Sequence, residues 1–443
     1  MSQRQQIVPW LLGFFLIANV YLVPALAQTP RATDALGVVL GLWLLWRFCT
    51  RGLHAGPLGL LLLFGAIPLV WGLYASSTGD VQTTLLSSRW LLAIPWGYVL
   101  FTTTQDERQR SSLVWGMLSG CLGSIVVQAL QFYGLVELTQ NLGLAAQDMT
   151  LSYVGTTLRS AGLEEHPNAG AAISSLAVPL SLYLYYAYRT HILVVALGIG
   201  VMLAGMQFTE TRSVGLVSLV TVLSVFFANV LVSKTWRSLR LAALLMYVGL
   251  PILLLLGPPS GWDRWLDYQD IETNSGERLL SNVRALQISL EHPLGLGVET
   301  GQQMMLQDYT QIGATHNAFL QAALVYGLLF AVALFSLLIV LASRAFLGPR
   351  AFLALEAMLG LQTFGLFFWE EHLAAPTFVI LVNWFIAACG SLAGSHLQTT
   401  QAHLRHAGRL HRGDRGSYGV RYSSPVPRPG YLFKRDAVPE DER

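Results

Sequence analysis

Arg212, Arg278 and His316 are the residues from which chemistry could start. Arg212 follows Gln207-Phe208-Thr209-Glu210-Thr211 and opens an apolar run. A cation in the first turn of a helix opposes the macrodipole, so helix stability does not explain it. Free amides at a helix N-terminus bind anions, and an arginine beside them adds a bidentate grip on phosphate. The plainer alternative is a snorkelling anchor paired with Glu210. Arg278 reads in the same way. Asn274 and Glu277 form an N-cap and capping-box pair, which sets Arg278 in the first turn of a short helix with Leu279, Val283, Leu286 and Leu290 as its apolar face, ended by Glu291-His292-Pro293. The alternative is a surface charge neutralised by Glu277. Arg284 is a further candidate ligand for an anion, although a surface charge is the simpler reading there. His316, with Thr315 as N-cap, begins another apolar run, and a helix N-terminus disfavours the imidazolium and keeps the ring able to accept a proton. The alternative is a satisfied interfacial polar residue.

Metal chemistry has weaker support. Glu164-Glu165-His166 and Glu370-Glu371-His372 could each be a metal corner or an acid/base pair, but neither has a second cluster at ligand spacing. Asp263, Asp267 and Asp270 read more simply as a solvated face. Cys49, Cys121 and Cys389 are odd in number, without ligand spacing, and read as inert core residues. No Walker or dinucleotide glycine motif occurs in a strand–helix context. No metal, cofactor or nucleic-acid partner is expected.

The elements that position these residues are hydrophobic helices. Of 443 residues 53% are hydrophobic and 12% charged, which excludes a soluble globular class and indicates an all-α polytopic membrane protein. Apolar runs long enough to cross a bilayer give about twelve spans, near 7–27, 35–49, 57–74, 90–103, 112–136, 168–188, 191–208, 213–232, 239–257, 316–343, 351–369 and 373–395. Ala25-Leu26-Ala27 resembles a signal-peptidase site, but the long run before it favours an uncleaved first span. Alternate short connections carry a basic excess, among them Lys234, Arg237 and Arg240, so both termini face the cytoplasm. The polar excursion 258–315 is then an extracytoplasmic roof within a membrane domain spanning 1–396. In it, Trp262, Trp265 and Tyr268 either stack on sugar rings or anchor the loop at the headgroup level. A second outer excursion, Leu138 to Pro167, leads to Asn168 at the head of the sixth span. Residues 397–443, rich in Arg, Gly, Ser and Pro, read as a disordered cytoplasmic tail.

Three stretches carry a family resemblance: Gln207–Gly215, Gly276–Gly297 with Gly-Glu-Arg and Glu-His-Pro-Leu-Gly-Leu-Gly, and His316–Gly327 with His-Asn-Ala-Phe-Leu-Gln and Tyr-Gly. In order and spacing they resemble the signatures of the O-antigen ligase and Wzy polymerase superfamily, over roughly residues 160 to 340; Pro167-Asn168 also fits. Thr209-Glu210-Thr211 departs from the small residue and serine usual before the arginine. The resemblance implies a GT-C-like fold in a bacterial inner membrane and transfer of a glycan from an undecaprenyl diphosphate donor to a lipid or glycan acceptor hydroxyl outside the cytoplasm. It implies Arg212 and Arg278 as diphosphate binders, His316 as the residue orienting or deprotonating the acceptor, and Asn317 and Asn168 as neighbouring substrate-binding positions. The reaction is an inverting displacement without metal. A ligase is expected ahead of a polymerase of lipid-linked repeat units. A transporter would place ionisable groups at mid-membrane, and a metal-dependent oligosaccharyltransferase would need converging acids in the first outer loop, which offers only Asp34.

Overall fold

The apolar runs are helices because backbone polar groups surrounded by apolar side chains find partners only within their own segment. The computed structural model describes residues 4–22, 31–145, 152–154, 157–164, 166–211, 213–233, 268–308, 315–347, 355–369 and 375–391. The helices are α1 (Arg4–Ile17), α2 (Ala32–Arg51), α3 (Ala55–Thr78), α4 (Val81–Thr104), α5 (Glu107–Phe132), α6 (Val136–Asn141), α7 (Pro167–Ser175), α8 (Ala177–Ala187), α9 (Leu193–Thr209) and α10 (Ser213–Ser233). After them come α11 (Tyr268–Glu291), α12 (Val298–Asp308), α13 (Ala318–Tyr326), α14 (Leu328–Leu347), α15 (Leu355–Trp369) and α16 (Pro376–Ser391). Among the described residues, four segments are long and apolar enough to cross a membrane: α2, α3, α5 and the two-piece run Pro167–Ala187. The protein is therefore a largely α-helical chain of membrane type. The expected span 239–257 lies outside the described residues.

Local signals place several ends. Gly79 terminates α3 in the left-handed region and Asp80 caps α4 through its carboxylate and the Thr83 amide, 2.9 Å away. Asp106 caps α5 through the amides of Arg108 and Gln109. Gly116 and Gly120 let the backbone of α1 lie directly on α5, as small residues do between packed membrane helices.

Several expectations are corrected. The first span stops at Ile17, well short of residue 27, because Asn19 leaves the helix and its carbonyl oxygen accepts from the Thr33 hydroxyl at 2.7 Å. α4 starts nine residues early, at Val81, under the Asp80 cap, so Arg89 lies within a helix and not in a connection. The sixth span divides at Leu176 and the tenth at Gly327. Among the described residues of 258–315 there are two helices, of which α12 departs from the expectation of one. Cys49 is exposed rather than part of the core. The excursion Leu138 to Pro167 carries a two-stranded antiparallel pair, β1 (Ser152–Val154) with β2 (Thr157–Arg159).

The break at Gly327 explains one motif. Pro293–Gly297 lies along it and supplies the hydrogen bonds the interrupted helix lacks: the Leu296 amide donates to the Leu324 carbonyl at 2.7 Å, and the Leu328 amide to the Pro293 carbonyl at 2.9 Å. Gly295 (φ 94°) and Gly327 (φ 95°) touch backbone to backbone, where a Cβ on either would collide. The Gly-rich turn and the Tyr-Gly step are two halves of one contact.

Candidate functional site

The C-terminal end of α15 is where the motif residues meet. Arg278 Nη1 donates to the Trp369 carbonyl at 3.2 Å, and Asn317 Nδ2 donates to the Phe368 carbonyl at 3.1 Å. Two residues far apart in sequence thus hold successive carbonyls of one helix end, where a cation complements the macrodipole. The cap of α13 is Asn317 rather than Thr315: its Oδ1 accepts from the amides of Phe319 and Leu320 at 2.9 and 3.1 Å, while the Thr315 hydroxyl turns to the Asn317 carbonyl. An asparagine amide that satisfies two helix amides and bonds a third backbone group has its geometry fixed. Asn317 therefore acts as the post that holds the half-buried His316 one residue outside the helix start.

Arg278 is not in a first turn. α11 begins at Tyr268, because Asp270 and Glu272 already suit a helix start, and Asn274 lies inside the helix, not at its cap. An opposed helix dipole therefore does not mark Arg278; its place at the end of α15 does. Arg284, six residues on and half-buried, points about 240° around the helix from Arg278 at roughly 100° per residue, so the two do not share a face.

A second cluster forms at the β1–β2 pair. Arg159 donates from Nε to the Thr209 carbonyl at 2.8 Å and from Nη2 to Asn168 Oδ1 at 2.9 Å and Thr211 Oγ1 at 3.3 Å, while the amide of Ser160 donates to the Phe208 carbonyl at 2.9 Å. The last carbonyls of α9 are thereby capped from the β1–β2 pair. Glu210 follows with φ 51° and ψ 38°, left-handed values that cost a residue with a side chain about 1–2 kcal/mol. Such strain persists where surroundings over-determine it, often at functional turns. A charge such as Arg159, three residues before a Gly-Leu-Glu-Glu-His-Pro turn, gives no local hint of partners some fifty residues away. Arg212, Trp262 and Trp265 lie outside the described residues, as do Glu165, Glu370, Glu371 and His372.

Helix register brings the two clusters to the same end of the bundle. α10 runs antiparallel to α15: Val217 packs on Gly365, and the Thr221 hydroxyl donates to Gln362 Oε1 at 2.7 Å. Gln362 Nε2 donates to Ser175 Oγ at 2.9 Å and Ser218 Oγ at 3.0 Å, a buried polar lock among α7, α10 and α15. Moving up α15 from Gln362 to Trp369 therefore moves toward Ser213 on α10, and Asn168 at the head of α7 reaches Thr211 at 3.2 Å. Arg278, Asn317, Asn168 and the start of α10 all belong to this end.

The strap 160–170 that carries Asn168 is itself anchored. Arg31 Nη1 and Glu164 Oε2 pair at 2.7 Å with side chains 2% and 1% exposed, and the guanidinium lies 4.9 Å over the Tyr21 ring. Gln131 holds Gly162 through two bonds of 2.8 Å. Glu164 is thus a partner of Arg31 rather than half of a metal corner, and among the described residues no three His, Cys, Asp or Glu side chains group as metal ligands. Glu164→Ala is expected to destabilise the protein by about 3–5 kcal/mol, because it removes the carboxylate paired with a buried guanidinium. Arg31→Met with Glu164→Leu should recover most of that loss. Thermal unfolding in detergent reads both.

Compared with known proteins, the chain matches no family model and no curated protein, so the family resemblance rests on the three motifs.

Proposed function

We propose that this protein is a GT-C-like, membrane-embedded glycosyltransferase with about twelve spans. It moves a glycan from an undecaprenyl-diphosphate donor to an acceptor hydroxyl at the extracytoplasmic face of a bacterial inner membrane, in the manner of an O-antigen ligase. The observation that carries the reading is the meeting of Arg278 and Asn317, from two motifs of the resemblance, on adjacent carbonyls at the end of α15. Without that convergence the motifs would be three unrelated strings.

The chemistry assigned to these residues balances simply. The acceptor oxygen attacks the anomeric carbon, the bond from that carbon to the diphosphate oxygen breaks, and the leaving diphosphate keeps the electron pair. His316 takes the hydroxyl proton. Arg278 and Arg212 bind the diphosphate and stabilise the charge that grows on it, which is strongest where water is excluded. Arg159 touches neither reactant in this scheme; it holds the turn from which Arg212 departs. Arg159→Ala is expected to slow transfer by about ten- to a hundredfold, the factor corresponding to loss of charge-assisted hydrogen bonds worth ~1.5–3 kcal/mol. Initial rates at matched protein level measure it.

Transfer is expected to continue in EDTA. Loss of activity in EDTA with recovery on adding manganese or magnesium would return the acidic corners to the mechanism. Ligase and polymerase are separated by supplying the purified protein with one lipid-linked repeat unit alone. Product that appears only after a second acceptor is added supports the ligase; a ladder of lengthening chains on the same carrier replaces it with a polymerase.

A further inference from the structure

The apolar face of α11 points outward. Leu279, Val283, Leu286 and Leu290 are 65%, 46%, 43% and 61% exposed, whereas Ser281, Ala285, Ile288 and Ser289 are buried, with Ala285 and Ile288 packed among Leu324, Met305 and Leu320 of α13 and α12. The four outward residues fall within about 60° of one another at roughly 100° per residue. Glu277, Arg284 and Glu291 lie together about 80–120° further round the helix, beyond Leu280 and Gln287. An apolar stripe with charges grouped on a separate flank, on a helix of low overall hydrophobicity, is the pattern of a helix lying in a lipid–water interface.

The stripe also continues into a surface of membrane type. Beyond Leu290 comes Leu294, 81% exposed, whose carbonyl accepts from Trp71 Nε1 at 3.2 Å. Trp71 belongs to α3, one of the four segments able to cross a membrane, and Val70, Leu73 and Tyr74 beside it are 66%, 65% and 59% exposed. Water has no claim on such a joined surface, and its continuity with α3 names the occupant.

We propose that the Leu279–Leu294 face is a lipid-contact surface: α11 lies in the outer leaflet against acyl chains, with its Glu277–Glu291 flank toward water, instead of standing clear as an aqueous roof. This holds whatever reaction proceeds beneath the helix.

The test places single cysteines at Val283, Leu290, Glu277 and Glu291 in a Cys49→Ser, Cys389→Ser background, labels them with a fluorophore, and reconstitutes the protein in phosphatidylcholine–phosphatidylglycerol vesicles. Nitroxide-bearing lipid should quench the Val283 and Leu290 probes at least about threefold more than the other two, with aqueous iodide giving the reverse order. Equal iodide quenching at all four sites overturns the proposal. Protection of Val283 and Leu290 from both quenchers also overturns it, since a protein surface would then cover the stripe. The unmodified chain gives an independent reading: diazirine-bearing phospholipid should crosslink within 279–294, and absence of adducts there, with adducts present on α3, counts against the proposal.

Discussion

His316→Ala is expected to lower glycan transfer by a factor of about 10²–10⁴, as for loss of a general base, while donor binding should stay within about twofold of wild type because no phosphate contact is proposed for this residue. The expectation follows from how the ring is held. Asn317 spends its amide on two helix amides and the Phe368 carbonyl, and that fixed post sets His316 just outside α13, at the bundle end shared with Arg278. Initial rates and binding of a fluorescent lipid-linked donor are measured on the same preparation. A drop in donor binding equal to that of Arg212→Ala would move His316 from the acceptor to the diphosphate. Asn317→Ala should lower the rate, because it displaces the base.

Arg278→Lys should be nearly as damaging as Arg278→Ala, both falling by about 10²–10³, the range seen when a fixed donor to developing charge is lost. A guanidinium carries five donors in a rigid plane, and the bond from Nη1 to the Trp369 carbonyl orients that plane. A lysine ammonium can hold the carbonyl or approach a phosphate as a point charge; it does not reproduce a planar fork on two oxygens. The two explanations of Arg278 separate cleanly here. If its function is only to complement the dipole at the end of α15, lysine serves equally well and the variant keeps near-normal activity. If it binds diphosphate, thermal stability is kept in the lysine variant and transfer is lost.

Sequence pattern located most of the described helices, because apolar runs and stop signals such as His292-Pro293 are local. It failed where the deciding partner was remote. Nothing near Arg31 or Glu164 announces that each neutralises the other across the fold, and nothing near Arg159 shows that it caps α9. The breaks at Leu176 and Gly327 were passed over because hydropathy is blind to them; the second is tolerated only because Pro293–Gly297 supplies the missing bonds. The apolar stripe of α11 is legible in its spacing, but the spacing does not say that it faces out of the bundle. In a membrane protein an apolar face suits lipid as well as core, and helical period alone does not choose between them. The placement of Asn274 as a cap shows a related error, since a capping-box string also occurs inside a helix when stronger starts lie upstream.

The most direct measurement follows both products of a single turnover. Purified protein in vesicles is mixed with isotopically labelled undecaprenyl-diphosphate glycan, and the free diphosphate carrier and the glycosylated acceptor are quantified together. The account predicts that both appear in equal amounts, in EDTA, with inversion at the anomeric carbon, and that Arg278→Lys and His316→Ala yield neither. Carrier and glycan that remain joined in the presence of every acceptor tried, or that cross the bilayer intact, would contradict it.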